Sequence, residues 1–175
     1  MLPDLLSRNL DLVVCGTGVG TRSAQLRHYY AGPGNRFWRT LAEVGLTPEE
    51  LQPEQYERLL AFRIGLTDLV KRESGNDRAL RFTQADALIL RAKLTLHQPR
   101  FVCFNGKRAA QEFLGLSDVD YGVQEVRLGR TVLFVAPSTS AAANGSWDLS
   151  FWRDLARRVR RPRGTSGGSR RTSAY

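Results

Sequence analysis

Residues Leu12-Val13-Val14-Cys15 form a short, uninterrupted apolar run, and glycines follow at positions 16, 18 and 20. A run of this length with no polar alternation reads as a strand buried on both faces, which points to a parallel sheet covered by helices. The glycines read as a loop at the carboxyl end of that strand, where the missing side chains let a ligand approach the main chain. Ser23 to Arg27 reads as a short helical turn, followed by Tyr29 and Tyr30 and then Ala-Gly-Pro-Gly-Asn-Arg-Phe-Trp. A glycine loop at a strand end with aromatics behind it describes a pocket for a flat molecule. Two common glycine-loop chemistries do not fit. The dinucleotide fingerprint needs a third glycine where Thr21 stands and an acidic residue about twenty positions on, and none lies near Asn35-Arg36-Phe37. A phosphate-cradling P-loop needs Gly-Lys-Ser/Thr at its end, which is also missing.

Alternating strand and helix patterns continue along the chain. Residues 1–10 read as a lead-in, with a short helical turn at Pro3 to Leu6. Asn35 to Val44 is an amphipathic helix carrying Phe37, Trp38, Leu41 and Val44, stopped by Gly45. Thr47-Pro48 reads as a helix N-cap with proline at the first helical position, and Pro53 begins another short helix. Thr83 to Leu96 reads as a helix capped by Thr83, with Leu88, Ile89, Ala92 and Leu96 as its buried stripe. Phe101 to Phe104 and Thr131 to Val135 are further strands, the first followed by a helix over Ala109 to Leu114. Trp147 to Val159 is the last helix. The expected fold is a single α/β domain over residues 1–160, three layers deep, with a short, mostly parallel central sheet between helices. The Arg/Gly/Ser-rich tail at 161–175 is expected to be disordered.

Several of these segments, taken in order, resemble the mismatch-specific uracil-DNA and thymine-DNA glycosylase family. That family has a Gly-Ile-Asn-Pro-Gly loop after its first strand and then a block close to Phe-Ala-x-Pro-x-Asn-Arg-Phe-Trp. Here the counterparts are Gly16-Thr17-Gly18-Val19-Gly20 and Tyr30-Ala-Gly-Pro-Gly-Asn-Arg-Phe-Trp38. Gly65-Leu66-Thr67-Asp68-Leu69-Val70 resembles a pocket-lining segment of the family. Gly106-Lys107 opens a helix after a strand, as in the family, and Pro137-Ser138-Thr139-Ser140 resembles the loop that enters the duplex. The resemblance covers nearly all of residues 10–160. Its most consequential departure is that the family's catalytic Asn falls at Gly18 and the following Pro at Val19.

The resemblance implies a uracil-DNA glycosylase fold and hydrolysis of the bond between uracil and deoxyribose, with no metal and no cofactor. Tyr30 would stack on a flipped base. The backbone of Thr17 to Gly20, with Gly16 and Asn35, would line the base pocket. Asn105 either reads a base edge or caps a helix. Arg22, Ser23, His28, Lys107 and Arg108 would contact DNA, as would Ser138, Thr139 and Ser140. Asp68 reads either as a cap or solvated loop acid, or as the carboxylate that serves the attacking water or the sugar cation in place of the missing Asn. His97 reads as a surface or capping residue. The duplex-entering loop has Ala136 where the family has Asn and carries no large apolar wedge, so weaker reading of the opposite base and acceptance of single strands are expected. Two alternatives stand beside uracil excision: a weakly catalytic protein that binds lesions or abasic sites, and a glycosylase for hypoxanthine or xanthine.

Composition agrees with a nucleic-acid partner. The formal charge is +9 and the isoelectric point about 10.4, which favours a polyanion. Part of that charge is in the tail, but Arg22, Arg27, Arg36, Lys71, Arg72, Lys107 and Arg108 lie beside the segments discussed. Cys15 and Cys103 end apolar runs and show no metal-ligand spacing, so they read as buried thiols in a reducing cytosol. A signal peptide and a membrane span are not expected, and a monomer acting on DNA is.

Overall fold

The computed structural model describes residues 1–162. Five strands form one sheet in the order β2-β1-β3-β5-β4. They are β1 (Leu12–Val19), β2 (Ile64–Ser74), β3 (Phe101–Asn105), β4 (Gly122–Leu128) and β5 (Thr131–Ala136). The first four in that order run parallel, and β4 is an antiparallel edge. The helices are α1 (Thr21–Leu26), α2 (Phe37–Glu43), α3 (Gln84–His97), α4 (Lys107–Leu114) and α5 (Leu149–Arg160). Short 3-10 segments cover Pro53–Phe62 and Ala141–Ser146. This is the expected α/β architecture. No described helix is long and apolar enough to cross a membrane.

The sheet is buried on both faces, and the alternation of β1 shows how. Leu12 and Val14 point into a core with Phe37, Trp38, Leu41, Trp152 and Leu155. Val13 and Cys15 point the other way, toward Leu90, Leu94, Ala110 and Phe113. Both cysteines are buried free thiols.

Several local expectations are corrected. Gly16 and Gly18 are not loop residues: β1 runs to Val19 and pairs with β2 as far as Val19↔Ser74. The lead-in is not helical. Leu5 forms an antiparallel bridge with Leu66, and Leu2, Leu5 and Leu10 are buried. Thr47 caps no helix; its hydroxyl donates to the Glu49 carbonyl. The edge strand β4 is not anticipated by the sequence pattern. In α3 the stripe is rotated: Leu90 and Leu94 are buried, while Leu88, Ile89, Ala92 and Leu96 are exposed. Apolar residues occupy more than one side of this helix, so periodicity cannot choose among them. The polar anchors do. Asp86 pairs with Arg72 of β2 and Lys93 with Asp4, and these turn the Asp86-Leu90-Leu94 side inward. Thr83 caps α3 as expected, in a reciprocal box with Asp86. Of the expected tail, residues from 163 onward, with Arg163, Arg170 and Arg171, lie outside the described residues.

Candidate active site

The chain leaves β1 for β2 on one side and later reaches β3 on the other, so the sheet order reverses between β1 and β3. Crevices beyond the carboxyl ends of strands at such a point are where open α/β sheets bind ligands. Here β1 pairs with β3 only through Cys15↔Phe104. From Gly16 on, no described strand covers that edge of β1. A cavity of about 920 Å³ opens there, lined by Gly16 to Ser23, Tyr30, Asp68, Asn105 and the loop after β5.

Asp68 lies on the floor. It pairs across the sheet with Gly16 and is only 3% exposed. Gly16 is required to be small: a Cβ there would stand 3.0 Å from Asp68 Oδ1 and 3.4 Å from the Tyr30 hydroxyl. Asp68 Oδ2 accepts from Lys71 Nζ at 3.3 Å, whereas Oδ1 has no hydrogen-bond partner among the described residues. Burial pushes the Asp68 carboxyl up to about 6; Lys71 opposes that shift and Asp4 adds to it. The carboxylate is therefore mostly ionised at neutral pH yet close enough to titration to accept a proton.

Tyr30 stands beside it. Its ring stacks on Phe37, with centroids 4.0 Å apart and an interplanar angle of 29°, so one face is already occupied. Its backbone is left-handed, with φ +52°, a costly conformation for a tyrosine. Neighbouring bonds hold it there: Ser23 Oγ accepts from the Ala31 amide at 2.9 Å, and Trp38 Nε1 donates to the Tyr29 carbonyl at 3.2 Å. The Tyr30 hydroxyl is buried without a partner, and burial, with Asp68 beside it, keeps the phenol protonated far above its ordinary range.

The walls come from loops. Asn105 clasps Thr139 with both ends of its amide: Nδ2 donates to Thr139 Oγ1 at 2.9 Å, and Oδ1 accepts from the Thr139 amide at 3.0 Å. The Thr139 carbonyl accepts from the Arg36 amide, and the Pro137 carbonyl from Trp152 Nε1. Ser138 and Ser140 hydroxyls accept from the amides two residues on. Gly106, at φ +109°, lets α4 start against Ser138. On the opposite wall, Thr17 donates to Asp77 Oδ1 at 2.6 Å, and Leu80 packs over Gly18, where a Cβ would lie 2.8 Å from Leu80 Cδ1.

The model of the uracil DNA glycosylase superfamily matches residues 3–156. The chain belongs to that superfamily. Among solved structures it is similar to the solution NMR structure of a "putative Uracil DNA glycosylase" from Methanosarcina acetivorans. The TM-score is 0.58 at 23% identity, over 90% of this chain and 96% of that one. Membership makes DNA the substrate, and base-excision hydrolysis the class of reaction.

The fold gathers nearly every residue singled out in the sequence. Gly16, Thr17, Gly18, Val19, Gly20, Arg22, Ser23, Tyr30, Asn35, Asp68, Asn105, Lys107, Arg108, Ser138, Thr139 and Ser140 all line the one cavity. Their local roles differ from expectation in places. Asp68 is neither a helix cap nor a solvated loop acid. Ser23 is buried and ties down the Tyr30 turn. Thr139 is fully buried. Asn35 Oδ1 accepts from the Phe37 amide at the start of α2. Asn105 caps no helix; both ends of its amide clasp Thr139. His28, expected to contact DNA, does not line the cavity, and its ring lies 6.2 Å from that of Tyr56. Lys107 and Arg108 flank the mouth, the first over the Tyr121 ring and the second over Phe82 and paired with Glu112. Asp77, which reads from the sequence as a solvated loop charge, and Arg78, which the sequence does not single out, line one wall, while Leu80 packs over Gly18. The polar Glu73-to-Asp77 segment was readable only as a turn, because its contacts to Thr17 and Gly18 span about sixty positions.

Proposed function

We propose that the chain is a monofunctional glycosylase of the mismatch-specific uracil-DNA and thymine-DNA glycosylase type that excises uracil from DNA, with Asp68 as the group acting on water. The observation that carries this reading is Asp68 itself: buried, and presenting one unpartnered oxygen to the cavity through the gap at Gly16, with burial pushing its carboxyl up to about 6. A position so organised suits general-base work on a water held beside a flipped nucleotide. The family's Asn position cannot supply the group, since Gly18 carries no side chain and Leu80 occupies the space above it.

The reaction balances without a metal or cofactor. The bond from C1′ to the base nitrogen breaks, and its electron pair leaves with uracil. The developing positive charge on the sugar is stabilised by the Asp68 carboxylate nearby. Water oxygen bonds to C1′, its proton passes to Asp68 Oδ1, and that proton later neutralises the uracil anion or leaves to solvent. The free edge of β1 offers main-chain groups to the leaving pyrimidine, and Tyr30 and Asn105 supply remaining polar contacts. Lys71 is not a free nucleophile, because its ammonium lies against Asp4, Asp68 and Tyr29.

The test is cleavage by the wild-type protein across uracil, hypoxanthine and xanthine oligonucleotides, each single-stranded and opposite G or A, with borohydride trapping alongside. Fastest cutting of uracil, with single strands accepted and no trapped adduct, supports the reading. Faster cutting of hypoxanthine or xanthine reassigns the base. Tight binding with no cutting of any substrate refutes enzymatic action.

A further inference from the structure

The N-terminal lead-in reaches into the active site. Leu5 and Leu66 exchange two backbone hydrogen bonds of 2.9 Å, fixing residues 2–5 against β2. This brings Asp4 beneath the cavity floor. Lys71 Nζ lies 2.9 Å from Asp4 Oδ1, 3.3 Å from Asp68 Oδ2 and 3.2 Å from the Tyr29 hydroxyl. Asp4 Oδ1 also accepts from Thr67 at 2.8 Å, and Asp4 Oδ2 is 2.6 Å from Lys93 Nζ. The Tyr29 hydroxyl donates onward to the Pro3 carbonyl at 3.0 Å. Charges alternate along this path while exposure falls from 32% at Lys93 through 15% at Asp4 and Lys71 to 3% at Asp68. Lys71 reaches Asp68 because Lys71, Arg72 and Glu73 have no partners on β1, and β2 is irregular there.

We propose that Asp4 and Lys71 are positioning residues for the reaction, holding Oδ2 of Asp68 so that only Oδ1 is offered to the cavity at Gly16. This rests on the reading of Asp68 as the group acting on water. The argument is one of saturation. The Lys71 ammonium lies against three acceptors, Asp4 is bonded on both oxygens, and among the carboxylate oxygens of the network only Asp68 Oδ1 has no partner. A purely structural ion pair would be complete with Lys71 and Asp4 alone, and burying a second carboxylate beside them costs stability.

The charged and titratable groups facing Asp68 are Lys71 on its own strand, Asp4 from the lead-in and Lys93 from α3. The Tyr29 and Tyr30 phenols and the Cys15 thiol are all held neutral by burial. Removing Lys71 takes away a cation, so Asp68 holds its proton to higher pH. Removing the Asp4 charge takes away a repelling carboxylate, so Asp68 releases its proton at lower pH.

The experiment is single-turnover cleavage of a uracil oligonucleotide against pH for wild type, Asp68→Asn, Lys71→Met, Lys71→Arg and Asp4→Asn. Lys71→Met is expected to move the acidic limb up by about one pH unit, a tenfold change in proton affinity. Lys71→Arg should return it most of the way, and Asp4→Asn should move it down, with the plateau rate lowered and oligonucleotide binding unchanged. An impaired Asp68→Asn beside Lys71→Met and Asp4→Asn profiles whose midpoints match wild type overturns this inference alone. An Asp68→Asn protein that cuts like wild type overturns the reading of Asp68 and this inference with it. Should Lys71→Met fail to fold, the downward shift in Asp4→Asn supports the proposal and an unshifted limb overturns it.

Discussion

Placing an Asn at position 18 should fail in this chain, and the structure gives the size of the failure. A Cβ at Gly18 would lie 2.8 Å from Leu80 Cδ1, 3.3 Å from Leu80 Cδ2 and 3.3 Å from the Val70 carbonyl oxygen. The carbonyl belongs to the paired strand and cannot move far, so Leu80 must. Leu80 is buried, and overpacking of this kind costs about 1–3 kcal/mol. Replacing a strand glycine returns roughly 0.5–1 kcal/mol of backbone entropy, because Gly18 does not use a left-handed φ. The net destabilisation of Gly18→Asn is therefore about 0–2.5 kcal/mol, centred near 1, or up to roughly 10 °C in Tm for a chain of this size. Trimming Leu80 to Ala should be destabilising alone, but it opens the space that the introduced amide side chain would need. The two changes should couple favourably by about 1 kcal/mol in a double-mutant cycle read by urea denaturation. Uracil cleavage by Gly18→Asn should not exceed that of wild type. A Gly18→Asn protein as stable as wild type, with strict additivity toward Leu80→Ala, would refute the idea that Leu80 fills the slot.

Other consequences can be measured with the same protein. Asp68 holds its proton up to about 6 in the folded state, against an ordinary value of 3.8 in the unfolded chain. The folded state therefore binds more protons in this window, and stability from this group, complete below about pH 4, is lost as pH rises through 6. At 1.36 kcal/mol per pKa unit the loss is about 3 kcal/mol. Asp68→Asn should thus gain about that much stability relative to wild type between pH 4 and pH 8, and parallel urea curves at both pH values would show the argument wrong. Asn105→Ala leaves the Thr139 amide and hydroxyl without partners and should cost about 2–4 kcal/mol in chemical denaturation, while weakening DNA binding through the loosened 138–146 loop. Lys107→Ala should lower DNA affinity to a similar degree for every sequence and reduce the slope of log K against log salt by about 0.7–0.9. An unchanged slope would place Lys107 away from the phosphates.

The sheet was legible because buried parallel strands advertise themselves. Leu12 to Cys15, Phe101 to Phe104 and Thr131 to Val135 are continuous apolar runs, and all lie in the central strands. The edge strand β4 was not legible, since Val123 and Val126 are exposed and Glu125 and Arg127 interrupt any pattern. The side of α3 that faces the sheet could not be read from a helix with leucines all round, because Asp86 and Lys93 decide it through partners distant in sequence. In the site, the glycine run was legible from the residues themselves, and Asp68 through the resemblance of its segment to a family. Asp4 and Lys71 were not, because the pair that joins them spans sixty-odd residues and depends on an irregularity in β2.

The central claim is that Asp68 carries the chemistry that Gly18 cannot. The most direct measurement is single-turnover cleavage of a uracil oligonucleotide, single-stranded and as U·G and U·A, by wild type and Asp68→Asn at pH 8, where the wild-type carboxyl is ionised. The account predicts a loss of about a hundredfold or more in the variant, the range of a general base, with oligonucleotide binding retained. Equal rates for the two proteins would contradict it and leave backbone and leaving-group contacts as the source of catalysis.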